Sequence, residues 1–379
     1  MGTRQGLHSD DDLRCLIALG FVKDIGPVTI KRLLSAFRSP RKIFEASPGE
    51  LRSVEEIKES RAKAIREFDA WDMVDRELEA AERHGVRIIR YTDKEYPGPL
   101  RHIDNSPVLL YSKGSIIEED QYAVAVVGSR NMTAYGRRIA ETIAHDLASR
   151  GLTIVSGMAR GIDTVAHQGA LRAGGRSIAV LGCGLDTVYP SENRTLLGEL
   201  SGSGCVISEF PMGMPPNKEN FPRRNRLISG LSLGVLVVEA TARSGSLITA
   251  NYALEQGKDI FAVPGSIDAR NSEGTNTLIK KGAKLVQSAD DIMEELAPVL
   301  KGLLRARKNP GAGPGGLPAK LEISDEEKAI CNILGGDPKH IDIIARELKV
   351  SPARLSGLLL NLELKGIVKQ TEGNNFYIL

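Results

Sequence analysis

Apolar residues follow one pattern in the first part of this chain and a different one after it. Between about residues 10 and 84 they recur at helical spacing. Leu13, Leu16, Ile17 and Leu19 predict one helix, with Ser9 or Asp10 as its N-cap. Ile30, Leu33 and Leu34 predict a second, and Ile65, Phe68, Trp71, Val74 and Leu78 a long one over residues 61–84. From residue 122 to residue 286 the apolar residues gather into short runs without alternation: 122–127 (YAVAVV), 152–155 (LTIV), 177–181 (SIAVL), 234–238 (GVLVV) and 260–263 (IFAV). Such runs, rich in β-branched residues and each ending in small or charged ones, predict strands of a parallel sheet buried on both faces. Residues 86–89 and 108–111 predict two more strands, at the edge of that sheet.

The pattern changes again at residues 305–318 (RARKNPGAGPGGLP), where four glycines and three prolines leave no periodicity and predict a linker. Helical spacing returns over residues 324–334, 341–348 and 354–365, and residues 366–370 and 375–379 then predict a hairpin. Three helices and a hairpin in that order outline a winged helix-turn-helix. The expected organisation is a helical domain over 1–84, an α/β domain over 85–304, the linker over 305–318 and a winged-helix domain over 319–379.

Composition narrows the picture. The chain has 379 residues, 41% hydrophobic and 26% charged, with a net charge of only +2. Any affinity for nucleic acid must therefore come from local clustering of Arg and Lys. Aromatic residues make up 4%, too few for a face built from many stacking rings. The four cysteines lie far apart with no Cys-x-x-Cys spacing, which suits a reducing compartment. The opening residues MGTRQGLHSDDD are polar and acidic, unlike a signal peptide, and no apolar stretch reaches the roughly 20 residues needed to span a bilayer. The expectation is a soluble, cytoplasmic protein without a membrane role.

In parallel α/β sheets ligands bind outside the carboxyl ends of the strands, and the unusual residues cluster there. Gly128-Ser129-Arg130 follows the first run and leads through Thr133 into a helix, so free N–H groups and a guanidinium predict an anion site. A tight turn alone would explain the glycine but not the arginine. Arg160 follows the second run, in SGMARG. The segment FPRRNRLISG holds Phe221, Arg223, Arg224, Asn225 and Arg226, with Lys218 upstream and Phe210 and Tyr189 as neighbouring rings. So many arginines beside a buried strand need partners. Pairing of at least one, Arg226 first, with Glu209 or Glu239 is expected. Ser244, Gly245 and Ser246 make a third Gly/Ser turn into a helix, after Glu239. Several anion-ready turns on one rim point to a sugar–phosphate chain.

Evidence for chemistry is thin. G-x-G-x-x-G, a Walker lysine, a metal-spaced His cluster and G-x-S-x-G are all missing. His167 with Asp163 at i, i+4 has the spacing of a helix-stabilising pair, with a catalytic pair as the less favoured reading. A glycine turn at Gly26-Pro27 resembles half of a helix-hairpin-helix, without its second glycine. Trp71 reads as a core anchor. The tail from Ala319 has 8 Lys+Arg against 9 Asp+Glu, which favours protein contact over duplex binding.

At these residues the chain resembles the DNA-processing protein A family (DprA, also called Smf). VAVVGSRNMTAYG, IVSGMARGIDTVAHQGAL, VLGCGLDTVYPSEN, SEFPMG, FPRRNRLISGLS, EATARSGSLITANYALEQGKDIFAVPGS and EGTNTLIKKGAKLV follow that family's blocks in order. The resemblance implies an α/β fold: an extended Rossmann-like parallel sheet core, an N-terminal helical (SAM-like) domain and a C-terminal winged-helix domain. It implies a single-stranded DNA-binding recombination mediator that protects incoming DNA and loads RecA during natural transformation. It further implies a homodimer through the Rossmann domain, with no enzyme activity and no cofactor. The family's pocket arginine maps onto Arg130, and its basic residues onto Lys218, Arg223, Arg224 and Arg226. An apolar helix over residues 278–286, with Ile279 and Leu285, is a candidate dimer surface.

Two other classes compete. One is a nucleoside-monophosphate phosphoribohydrolase of the lysine-decarboxylase-like (LOG) type, with residues 243–249 as its phosphate loop and Glu239 and Arg243 beside it. The other is a structural adaptor working through the tail, which the number of anion-ready turns disfavours.

Overall fold

Chemically marked helix starts organise the first part of the chain. Helices α1 (Asp11–Phe21), α2 (Pro27–Phe37), α3 (Pro40–Glu45), α4 (Pro48–Arg52), α5 (Glu59–Arg66) and α6 (Trp71–Arg83) follow one another. Asp11 and Asp12 sit in the first turn of α1, where the helix dipole favours negative charge. Proline opens α2, α3 and α4, in the position where its missing N–H costs nothing. Ser47 and Glu50 close a capping box on α4. The computed structural model describes residues 11–307, 324–334, 338–348, 350–364, 367–371 and 374–378. The expected N-cap at Ser9 or Asp10 and the linker from 308 onward lie outside them.

The long helix expected over 61–84 is two helices, α5 and α6, separated by Glu67–Ala70. Unbroken it would run about 36 Å, far beyond α1 and α2 at 11 residues each. The break lets Phe68 meet Phe44 at 5.8 Å and Trp71 at 5.3 Å between ring centroids. Trp71 is thus a core anchor, as its place among apolar neighbours predicts.

The strands and helices that follow are β1 (Arg87–Arg90), β2 (Leu109–Gly114), β3 (Ala123–Val127), α7 (Ala134–Ser149), β4 (Thr153–Ser156), α8 (Ile162–Arg172), β5 (Ser177–Leu181), α9 (Arg194–Ser203), β6 (Cys205–Ser208), α10 (Asn220–Gly230), β7 (Gly234–Val237) and α11 (Gly245–Glu255). Seven strands lie in the order β1-β2-β6-β5-β4-β3-β7. β6, β5, β4, β3 and β7 are mutually parallel. β2 runs antiparallel to β6, and β1 antiparallel to β2. Every residue of β3, β4, β5, β6 and β7 is buried, as their unalternating apolar runs require. β1 and β2 take the predicted edge. β6 has no counterpart among the predicted strands.

Contacts divide the chain into two units, Met1–Ile260 with Gly265–Leu278, and Phe261–Pro264 with Ile279–Leu379. β8 (Asp259–Ala262), α12 (Glu273–Lys280) and β9 (Lys284–Leu285) come next, with Phe261 and Ala262 pairing in parallel with Lys284 and Leu285. Residues 278–286 are therefore the end of a helix and a short strand, and the single apolar helix expected there is not formed. Arg305–Arg307, assigned to the linker by composition, end α13 (Ala289–Arg307).

α14 (Asp325–Ile333), β10 (Lys339–His340), α15 (Ile341–Leu348), α16 (Pro352–Leu364), β11 (Val368–Thr371) and β12 (Asn375–Ile378) complete the winged-helix outline. Ser324 and Glu327 form a reciprocal cap on α14. Ile330, Ile344, Leu355, Leu359, Leu362, Val368 and Phe376 make its core. The wing gains a third strand, β10, so its sheet runs β10-β12-β11. Among the described residues no helix is long and apolar enough to cross a membrane.

Candidate nucleic-acid interface

Because β3 to β7 are parallel, their carboxyl ends open on one edge, and the predicted residues gather there. Gly128-Ser129-Arg130 turns the chain from β3 toward α7, with the Ser129 hydroxyl accepting from Asn131 N–H at 3.1 Å. Thr133 caps α7 by accepting from Gly136 N–H at 3.1 Å. Glu239, arriving from β7, is buried at this point. Its carboxylate accepts from Thr133 N–H at 2.9 Å and from the Thr133 hydroxyl. Gly136 makes room for it: a Cβ there would lie 2.3 Å from the carboxyl carbon.

The expected anion site at the start of α7 is thus filled by the chain's own carboxylate, which suits the positive end of the helix. Arg130 stays exposed beside it.

Helix α10 carries the arginine cluster and separates its members by direction. Phe221 packs over Gly182 at the end of β5, where a Cβ would come within 3.0 Å of the ring. The Arg130 guanidinium lies 5.3 Å and that of Arg224 5.9 Å from the Phe221 centroid, within cation–π range. Arg130 and the α10 cluster therefore converge on one ring.

Arg224 itself is beneath the rim, not on it. It is 3% exposed, donates to the carbonyls of Gly157 (2.7 Å) and Val180, and reaches Asn225 Oδ1 at 3.2 Å. Burial lowers its pKa to about 10, with Asp163 opposing the shift, so it remains a cation at neutral pH. As a direct phosphate contact it is corrected to a buried cation under the surface.

Arg226 pairs with Glu209, as expected for one member of the cluster; the side chains are 11% and 5% exposed. Burial raises the Glu209 pKa, against the pull of Arg226 and Arg223. Asn225 is buried and donates to Gly245 O at 3.4 Å. Lys218 and Arg223 are exposed, and Arg223 sits 5.5 Å over Phe210. Arg160 is exposed but paired with Glu192. Ser244 caps α11, its hydroxyl 2.8 Å from that of buried Ser246, and Gly245 is open to solvent.

His167 is fully buried, its Nδ1 2.7 Å from the Ser177 hydroxyl. Burial, with Arg224 adding to it, pushes its pKa down to about 3. Asp163 accepts instead from the N–H groups of Gly157 (3.2 Å) and Ala159 (3.3 Å), so the two do not form the i, i+4 pair their spacing suggests. Among the described residues no group of His, Cys, Asp and Glu could hold a metal ion. In the tail, Arg354 at the start of α16 is held by Glu326 at 2.6 Å.

Comparison with known proteins places these features in company. The family model for DNA recombination-mediator protein A matches residues 87–297, that for the DprA winged helix domain 316–374, and that for a SAM-like helix-hairpin-helix tandem 17–68. Protein Smf of Escherichia coli is 43% identical over 279 residues, 73% of this chain and 74% of that protein. The X-ray structure of DNA processing protein A from Streptococcus pneumoniae superposes with a TM-score of 0.65 at 35% identity, covering 75% of this chain and 97% of that one. DNA processing protein A from Helicobacter pylori, solved for its single-stranded DNA binding mode, gives 0.50 at 30% identity, covering 57% and 96%.

Proposed function

The chain belongs to the DNA recombination-mediator protein A family, and on that footing we propose that it grips single-stranded DNA along the rim formed by Arg130, Phe221, Arg223 and Lys218. In this reading it shelters an incoming strand in the cytoplasm and loads the recombinase RecA onto it during natural transformation. It works as a homodimer through the Rossmann domain and carries out no chemistry on the strand. The observation that carries the proposal is the exposed Arg130 guanidinium 5.3 Å over Phe221, with a second, buried cation behind the same ring. A phosphate at Arg130 is then backed by a second cation behind the same ring, beside an apolar surface for a base.

The hydrolase reading draws on Glu239, whose carboxylate is committed to Thr133. Titration of labelled oligo-dT at two salt concentrations tests the proposal. Wild type is expected to bind with strong salt dependence and to prefer single strands to duplex. Arg130→Ala is expected to weaken binding to any sequence and to flatten the salt slope by about 0.7. Equal binding by wild type and Arg130→Ala at both salts would refute the interface. Release of adenine from AMP would revive the hydrolase.

A further inference from the structure

Phe221 is the ring of the FPRRNRLISG segment, and its surroundings are already crowded. Gly182 lies against it, the guanidiniums of Arg130 and Arg224 stand 5.3 and 5.9 Å from its centroid, and Tyr189 approaches at 5.6 Å with the planes tilted by 42°. Tyr189 is the more open of the two. It stands on the loop between β5 and α9 and is 41% exposed, with one ring contact among the described residues, to Phe221. The two acids nearest it in sequence, Asp186 and Glu192, are both engaged, Asp186 by the Gly213 N–H at 2.9 Å and Glu192 by Arg160, which limits repulsion of an approaching phosphate.

We propose that Tyr189 is the base-stacking platform of this interface, receiving a nucleobase of the strand while Arg130 takes a neighbouring phosphate and Phe221 braces both. The proposal rests on the reading of the rim as a single-stranded DNA site. Tyrosine suits this role because it offers a flat apolar face and orders only two side-chain torsions. It also accepts any base, since every base has a π-face.

The test uses the full-length protein and fluorescence anisotropy with oligo-dT, and with a strand of equal length carrying abasic positions. Tyr189→Ala is expected to weaken oligo-dT binding roughly 5- to 100-fold with the salt slope unchanged. Tyr189→Phe should bind like wild type. Wild type should lose a similar factor on the abasic strand, and Tyr189→Ala should lose nothing more there. Wild-type affinity for Tyr189→Ala overturns the assignment, as does an equal penalty on both strands, which marks a structural lesion. Arg130→Ala separates the two levels: its loss alongside an unaffected Tyr189→Ala leaves the rim intact and removes only the stacking role. Wild-type behaviour in both variants removes the rim as well.

Discussion

Replacing Glu239 by alanine tests whether the start of α7 is an internal cap or a ligand site. The carboxylate is buried and accepts from both the backbone N–H and the hydroxyl of Thr133. Alanine leaves that N–H, at the exposed start of α7, without its partner, and loss of such a cap costs about 1–2 kcal/mol. It also removes a negative charge from a helix N-terminus, costing about 0.3–1 kcal/mol. Together these give about 1–3 kcal/mol, or roughly 2–12 °C in the melting temperature of a unit of this size. Glu239→Gln keeps the shape and lets the amide oxygen take the N–H, so it should lose only the charge contribution and melt within about 4 °C of wild type. The assay is a thermal melt of the three proteins with and without phosphate. Phosphate should raise the melting point of Glu239→Ala more than that of wild type, because a ligand stabilises only the fold that has a place for it. An alanine variant that melts with wild type, or phosphate stabilising both alike, would refute the internal cap.

Arg224→Met should destabilise by about 3–5 kcal/mol, since it strips the carbonyls of Gly157 and Val180 and leaves buried Asp163 without its cation. A denaturation curve matching wild type would return Arg224 to the rim. Glu77 is buried, its pKa raised above the ordinary 4.5 by loss of solvent, although Met212 N–H (2.8 Å) and Tyr111 bond to it. The folded state therefore holds this proton at a pH where the unfolded chain has released it, so the contribution of Glu77 is most favourable at low pH and is lost as pH rises through its folded pKa. Glu77→Gln, which cannot ionise, should gain stability relative to wild type as pH rises above the ordinary glutamate value of 4.5; melts showing no such gain would refute it. Replacing Arg354 and Lys369 together by alanine should leave oligo-dT affinity within about twofold, because Arg354 is paired with Glu326 and the tail is near neutral. A loss of tenfold or more would bring the winged helix into the DNA site.

Much of the fold is legible because burial on both faces writes itself as unbroken apolar runs. β3, β5 and β7 follow the runs at 122–127, 177–181 and 234–238 closely. β6 is hidden because CVIS is four residues long and follows SGSG, which reads as loop. The split of α5 from α6 is hidden because periodicity continues across Phe68, and only the ring cluster with Phe44 and Trp71 explains the break. In the site, the type of residue is readable and its direction is not. Arg223, Arg224 and Arg226 are near neighbours on α10, yet one faces solvent, one enters the sheet edge and one meets Glu209. Glu239 as the partner of Thr133 joins residues 106 apart. Gly136, which clears the way for it, is the one local sign of that contact.

The charge that remains at the rim sets how the protein should respond to salt. Lys218, Arg130 and Arg223, the cations of the proposed rim, are exposed and carry no ion pair among the described residues. Three phosphate contacts on a single strand correspond to a slope of about −2 in log K against log salt. From about 50 to about 200 mM salt, one rim would then lose roughly 20-fold in affinity. One rim is thus a modest electrostatic grip for a chain of net charge +2. Two rims on one continuous strand double the slope to about −4, and the second contact becomes intramolecular, so avidity grows without any new kind of interaction. Salt titrations against oligo-dT of increasing length should therefore move from about −2 to about −4 once the strand reaches both protomers. A slope fixed near −2 at every length would confine the strand to one protomer and count against the proposed homodimer as the DNA-binding form. A slope near zero would leave the three cations without phosphates to meet.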